Sequence, residues 1–519
     1  MKAALGIALF SIFSLVFSQP SAPTAPELVI PTMPHMDTVS TMPTLRVAVS
    51  NMADSTVIFL RDGTYWMTTY LALDNNNIWI VGLSRDPTKV IIKGNGFYAD
   101  SGGTDELARV SGASHVNIAY VTFRGVRTYG VNVKAESHVA DLNIYNCHFI
   151  NIGERHIKGT GINPPIYVQG GSVRYCYFRN DYLPMSSWNS GGDYIAAIDM
   201  MDLDNWIFAD NVFTSINGLN GGGRGSLFLW NNSQNVTIER NIFYNSDRLL
   251  AIGNPSVASS QEAGSPNMTN CIIRNNFFMR TDETGTAIEI SRVNNLKFIN
   301  NTIADYPLGS RSYGENIMQI NFPPNSGILI QNNFSIGNLP SGDAATTVTN
   351  NYRPASGTVS ESWFVDYAHC DLHLTALAAG AFDGGTPTID VLNDYDRVCR
   401  TVTPDYGADE YRNEFVPNDI VCWTDVEPSL DKQIDAVSAL AVEPNPFNPE
   451  TVIKIAPAAL QTMNPELKIF DLSGRLAVDL TNQIKPETLW DASAMTSGVY
   501  VVFLKAGGKV FSARAVLMR

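Results

Sequence analysis

From Ser226 to Asp247 the chain reads SLFLWNNSQNVTIERNIFYNSD, two short apolar-alternating runs joined by a polar Asn-Ser-Gln-Asn corner. Alternation carried by β-branched and aromatic residues predicts strands, and the corner predicts a turn. The unit recurs as IAAIDMMDLDNWIFADNVF (195–213), TAIEISRVNNLKFINNTI (286–303) and NIMQINFPPNSGILIQNNFSI (316–336), with looser copies at 107–123 and 129–149. Self-similarity at this period predicts a solenoid, in which each repeat buries its apolar face only against its neighbours. The second strand tends to close on Asn-x-Phe or a variant, at Asn211–Phe213, Asn241–Phe243, Asn276–Phe278 and Asn301–Ile303. Stacked coils would turn these into an amide ladder and an aromatic stack, with Phe149 and Phe178 in the same column. The predicted fold is all-β: a right-handed parallel β-helix solenoid, the hand following the usual chirality of parallel crossovers, followed by a small C-terminal β-sandwich.

The order of segments follows the pattern. Met1-Lys2 and the apolar run behind it read as a signal peptide over 1–18. Residues 19–53 read as a flexible Pro/Thr/Ser-rich leader and an N-terminal cap, the cap being the amphipathic stretch Thr41–Met52. A solenoid end needs such a cap because it exposes coil interior and strand edges. The β-helix is expected over 54–411, a linker over 412–437 and the sandwich over 438–519. Insertions at 159–170, 181–194 and 254–268, with the Gly-rich 217–225 loop, are expected to project from the coils, where binding sites usually lie. Gly221–Gly225 precedes a strand rather than opening a helix, so it reads as a loop and not as a phosphate cradle.

A net charge of −15 disfavours a nucleic-acid partner, yet leaves room for a local basic cleft. No segment beyond the signal is long and apolar enough to span a membrane, and a monomer is expected. Six cysteines in 519 residues make no disulfide scaffold. Cys147 and Cys176, each two before a Phe, are expected to stack inside the coils as thiols. Cys370, Cys399 and Cys422 leave room for one bridge.

Three stretches carry resemblances. Asp62–Tyr65 (DGTY) followed by Ile78–Gly82 resembles the opening coils of the pectate-lyase-like superfamily. Asp371, His373 and Leu374, then Asp405, Gly407, Ala408, Glu410 and Tyr411, resemble the closing segment of secreted right-handed β-helix proteins, which implies a structural His373. Residues 442–519, with PNPFNPET (444–451), LKIFDLSGR (467–475), Trp490 and SGVYVVFL, resemble the C-terminal sorting domain of type IX secretion cargo. That implies export, attachment at the bacterial outer surface, and the secretion machinery as a partner.

Alternation also assigns an outward face. With Val131/Val133, Ile198/Met200, Phe228/Trp230, Ile288/Ile290 and Met318/Ile320 inward, the outward column is Asn132, Asp199, Leu229, Glu289 and Gln319. With Ile157 inward, His156 and Lys158 join that face, and Trp230 is expected in the core. Lys158, His156 and Lys134 are the candidate catalytic groups, and Arg155, Asn132, Arg224, Arg248 and Glu289 the candidate substrate-binding ones. Asp199 and Asp202 are the candidate ligands for Ca²⁺, a hard ion that wants carboxylate oxygen. Such a patch suits β-elimination on a uronate polysaccharide, where a cation neutralises the substrate carboxylate, a base takes the C5 proton and an acid protonates the leaving oxygen. The alternatives are a non-catalytic adhesin or glycan-binding solenoid, whose outward polar residues are merely solvated, and a glycoside hydrolase with two flanking carboxylates.

Overall fold

The computed structural model describes residues 19–99, 103–255, 264–280, 286–305, 308, 317–355, 357–412, 440–445, 447–455, 465–471, 476–506 and 509–518. The expected signal peptide, the linker and Cys422 lie outside the described residues. Two compact units result, divided near residue 415, with residues 397–402 assigned to the second.

The first unit is a parallel β-helix. Successive coils add strands to three sheets of twelve, ten and nine strands, in which neighbouring strands run parallel. One coil runs Ala140–Tyr145, His148–Ile152, Arg155–Gly159. The next pairs with it one coil on, so Val131, Ile157 and Ile198 align. Their apolar columns fill the interior.

Two side-chain stacks hold the register. Phe123, Phe149, Phe178, Phe213, Phe243 and Phe278 lie ring on ring at 4.7–5.1 Å, all buried. The corner amides of Asn211, Asn241, Asn276, Asn301, Asn333 and Asn351 each donate Nδ2 to the next Oδ1 at 2.8–3.1 Å. A slip of one coil residue would break every link at once, leaving buried amides unpaired.

The cap is the helix Met42–Ser50, started by a Thr41–Thr44 capping box, with Leu45 and Ala48 in the core. Residues 19–34, expected as a flexible leader, instead strap the coils. Glu27 pairs with Arg85 at 2.7 Å, the Tyr120 hydroxyl accepts from the Leu28 N–H and the Tyr145 hydroxyl donates to the Pro26 carbonyl, both at 2.7 Å. Thr214 bonds the Gln19 side chain.

The closing segment packs as its resemblance implies. Leu374 N–H donates to Asp409 at 2.6 Å, Tyr411 N–H to Asp405 at 2.8 Å, and Ala408 N–H to Thr302 at 2.9 Å. At Gly407 (φ +95°) a Cβ would sit 2.6 Å from the Thr302 hydroxyl, so only glycine fits. Cys147, Cys176, Cys271 and Cys370 are buried free thiols, whereas Cys399 is disulfide-bonded.

The second unit is antiparallel, with Leu440–Glu443, Glu450–Ile455 and Glu487–Asp491 in one sheet and Glu466–Asp471, Leu476–Asp479, Gly498–Ala506 and Lys509–Leu517 in the other. They share one core around Trp490, Phe447, Ile469, Val502 and Leu504, a small β-sandwich.

Candidate functional site

The outer face of the nine-stranded sheet lies between two sets of loops. Residues 180–195 and 215–224 lead into its strands Ala196–Met201 and Gly225–Trp230, and 160–167 lead away from Arg155–Gly159. The Gly-rich loop is pinned by its own coil. The Asp247 carboxylate accepts N–H bonds from Gly218 (2.7 Å) and Gly223 (2.8 Å), and Arg248 Nη1 donates to the Gly223 carbonyl (2.9 Å). Within the Gly221–Gly225 run the Gly223 N–H is therefore already taken by an aspartate.

The pairing register sets the outward column as Arg109, Asn132, Lys158, Asp199, Phe228, Ala251, Glu289 and Gln319. Asn132, Lys158, Asp199 and Glu289 stand where alternation puts them. Two assignments are corrected. In Gly225–Trp230 it is Leu227 and Leu229 that point into the core, so Phe228 and Trp230 face outward and Leu229 does not. The Trp230 indole N–H donates to Asp199 at 3.0 Å, and the Arg224 guanidinium lies 4.4 Å over the Phe228 ring.

His156 is the second correction. It is fully buried, its ring beside those of Phe149 and Phe178 and its Nε2 3.1 Å from Asn180 Oδ1. Burial drives its pKa down to about 3, so it stays a neutral core side chain and takes no part in chemistry on the outer face. The chain turns as it enters this strand, and the residues aligned with His156 in later coils, Ala197, Ser226, Leu249, Ala287 and Ile317, are buried too.

The remaining groups form two ion clusters. In one, Asp199 is held at Oδ2 by Arg155 Nε (2.7 Å) and Lys158 Nζ (3.1 Å) and at Oδ1 by Trp230. Asp199 is 2 % exposed and Lys158 7 %. Burial alone would raise the Asp199 pKa, but Lys158 and Arg155 outweigh it and hold the carboxyl at about 2. Arg155 also stacks 3.7 Å over the Tyr194 ring. In the other, Glu289 faces Arg224 at 3.2 Å and Arg248 at 3.0 Å. Burial, opposed by Glu289 and joined by repulsion from Arg248, holds the Arg224 pKa below its ordinary value. Lys134, more open to solvent, pairs with Glu136 at 2.9 Å, and Asn132 donates to Glu106 at 2.6 Å.

The Ca²⁺ assignment is corrected as well. Both Asp199 oxygens are taken by cationic and indole donors. Asp202 accepts from the Ile162 N–H (2.7 Å) and from Asn232 (3.2 Å), and burial raises its pKa to about 6. Carboxylates saturated in this way do not fit a cation that needs six to eight oxygens. Among the described residues, the group whose metal-ligating atoms do converge is His373, Asp396 and Asp409, within 4.8 Å of one another. There Asp371 and Asp396, working against burial, raise the His373 pKa to about 11. The resulting imidazolium repels an added cation.

Reading the sequence missed Trp230, Phe228, Tyr194 and Tyr129 at this face. Tyr129 pairs in register with Arg155, and burial pushes its phenol pKa well up.

No curated protein matches the chain. Three solved structures are similar at low identity. A pectate lyase, Pel9A, is 16 % identical, covering 71 % of this chain and 91 % of its own, with a TM-score of 0.44. An alginate lyase from Paenibacillus sp. is 15 % identical, covering 55 % and 99 %, with a TM-score of 0.35. A PL6 family alginate lyase, AlyGC, is 13 % identical, covering 61 % and 53 %, with a TM-score of 0.24. Residues 441–518 match the secretion system C-terminal sorting domain. The protein is therefore a secreted parallel β-helix protein that carries a type IX secretion sorting domain.

Proposed function

We propose that this protein acts at the bacterial cell surface on an acidic, uronate-containing polysaccharide, held along the outer face of the nine-stranded sheet and cleaved by β-elimination. The observation that carries this reading is a surplus of positive charge on that face of an otherwise acidic protein. Arg155 and Lys158 share the single carboxylate Asp199, and Arg224 and Arg248 share the single carboxylate Glu289. Asp199 and Glu289 stand three coils apart, about 14 Å at roughly 4.8 Å per coil. Each cluster thus sets two cations against one carboxylate at contact distance, with Glu154 beside Arg155 offsetting part of the first, and a chain of uronates offers regularly spaced carboxylates to match. The low dielectric around half-buried guanidinium groups strengthens that attraction.

In the elimination, Lys158 and Arg155 neutralise the substrate carboxylate and acidify the C5 proton. Lys134, the most exposed of the three groups expected in proton transfer, takes that proton as the free amine, once it has left Glu136 and given its ammonium proton to solvent. The C4–O bond breaks as the C4–C5 double bond forms, and the Tyr129 phenol, kept protonated by burial, protonates the departing oxygen.

A second reading, glycan binding without turnover, is favoured by a specific fact: His156 is in the core, and Lys158 and Lys134 are both ion-paired. The discriminating experiment is ultraviolet absorbance of unsaturated uronate, with a reducing-end assay, over pectate, alginate and glycosaminoglycans. A rise on one polymer, lost in Lys134→Ala, supports elimination. Retention of the polymer with no new ends supports binding alone, and neither binding nor cleavage on any of them rejects both.

A further inference from the structure

Away from the charged clusters, four aromatic side chains from two loops meet at the edge of the same face. Phe97 lies 4.9 Å from Tyr98, 5.6 Å from Tyr182 and 5.4 Å from Trp188, and Tyr98 lies 5.8 Å from Tyr182 and 5.9 Å from Trp188. Phe97 and Trp188 are buried beneath, while Tyr98 and Tyr182 remain 45 % and 49 % exposed. The loops are tied to each other by the Tyr98 hydroxyl, which donates to the Leu183 carbonyl at 2.8 Å. They are also pressed onto the coils: at Gly153 a Cβ would sit 2.8 Å from the Trp188 ring and 2.3 Å from the Arg127 carbonyl. The platform is therefore preformed and needs no folding on contact.

Two further observations say what it receives. The Trp188 indole N–H is a buried donor with no acceptor among the described residues, an arrangement that is costly unless a ligand oxygen meets it. Beside the rings opens a hollow lined by Asn95, Thr104, Asp105 and Arg127, and Arg127 reaches back to lie 5.3 Å over the Trp188 ring. Exposed ring faces next to an amide, a hydroxyl, a carboxylate and a guanidinium suit a ligand with one apolar face and a hydroxyl rim. A lipid chain or an apolar helix would press hydrocarbon against this polar lining. The platform also adjoins the charged strip, since the Tyr129 N–H donates to the Asp105 carbonyl at 3.1 Å and Asn189 of the Trp188 loop donates to Glu154, next to Arg155, at 2.7 Å.

We propose that Tyr98 and Tyr182, backed from beneath by Phe97 and Trp188, form a stacking subsite for one pyranose ring of the glycan, placed beside the cationic strip so that a chain lies over both. The assignment rests on the glycan reading above. It differs from that reading in what it recognises: the ring face and hydroxyl rim rather than the carboxylate.

Affinity electrophoresis of the full chain through gels containing pectate, alginate or a neutral β-glucan tests it. The Tyr98→Ala/Tyr182→Ala double variant removes two exposed rings, and thermal unfolding checks that its fold is kept. A second variant, Arg224→Ala/Arg248→Ala, removes charge from the strip. Loss of a buried-edge aromatic contact predicts retention weakened about tenfold or more in the double tyrosine variant, on every polymer that retains the wild type. The arginine variant is weakened on the acidic polymers alone. If the tyrosine variant is retained like wild type while the arginine variant is not, the stacking subsite is wrong and the acidic-glycan reading stands. Retention by the neutral glucan alone, lost in the tyrosine variant, keeps the subsite and rejects the acidic reading. A wild-type protein retained by none of the three overturns both.

Discussion

Replacing Asp199 by Asn tests whether the charged strip is a built cluster or a set of solvated side chains. Asp199, Arg155 and Lys158 are all buried, and the two cations meet the one carboxylate at 2.7 and 3.1 Å. An amide of the same shape keeps one accepting oxygen, turns an NH2 onto one of the donors Arg155, Lys158 or Trp230, and leaves two cations facing each other without a counter-charge. Breaking a buried pair in this way costs about 3–5 kcal/mol, most of it the penalty on the stranded charges. Lys158→Met is the control, because it leaves the Arg155–Asp199 pair whole and exchanges one stem for another, at a cost of about 1–2 kcal/mol.

The pH dependence gives an independent reading of the same cluster. The Asp199 pKa is lowered from 3.8 to about 2 in the folded protein, so its contribution is fully present above pH 3.8 and is lost as pH falls through about 2. Urea unfolding followed by circular dichroism at pH 7 and at pH 2.5 measures both effects. The gap between wild type and Asp199→Asn should be wide at pH 7 and should narrow at pH 2.5. Equal midpoints at pH 7 would show the carboxylate to be solvated and would refute the argument. A penalty for Lys158→Met as large as that for Asp199→Asn would also refute it.

Other expectations follow from the same geometry. His373 has its pKa raised to about 11 by Asp371 and Asp396 against burial, so its stabilisation is complete below pH 6.5 and is lost as pH rises through about 11; His373→Gln should flatten that alkaline slope in thermal melts. Leu229→Asp should unfold the β-helix by placing an unpaired carboxylate in the core, while Trp230→Ala should leave a folded protein; the reverse ranking in a proteolysis assay would restore the opposite strand phase. Cys147, Cys176, Cys271 and Cys370 are buried and free, and burial raises the pKa of Cys176, Cys271 and Cys370, so iodoacetamide should label them only after denaturation; native labelling would contradict the interior packing.

The repeat was legible because its strongest signals are interior ones. Asn-x-Phe recurs at a fixed place in the coils of Asn211, Asn241 and Asn276, with variants in their neighbours, and an amide ladder and a ring stack both demand one register. Faces were legible only where polarity alternates. Val131-Asn132-Val133 and Ile288-Glu289-Ile290 declare their phase, and the structure agrees. Leu227-Phe228-Leu229-Trp230 is apolar at four successive positions, so period two cannot choose between its phases. Here the two bulky aromatics lie outside, where they cover Asp199 and Arg224. One extra residue at the following corner, Asn231-Asn232 with φ of +54° and +63°, absorbs the offset before the next strand resumes.

His156 failed for a different reason. Alternation holds inside a strand, and His156 sits where the chain turns into one, so that it and Ile157 are both buried in the interior. Its aligned residues Ala197, Leu249, Ala287 and Ile317 are apolar, with one small polar Ser226 among them, and that column was in the sequence to be read. Comparing each position down the repeat, rather than along its own strand, would have put the imidazole in the core. The same comparison explains why the charged strip survives the correction. The column through Lys158, Asp199 and Glu289 is polar in some coils and aromatic in another, which the interior of a solenoid does not tolerate and its outer face does.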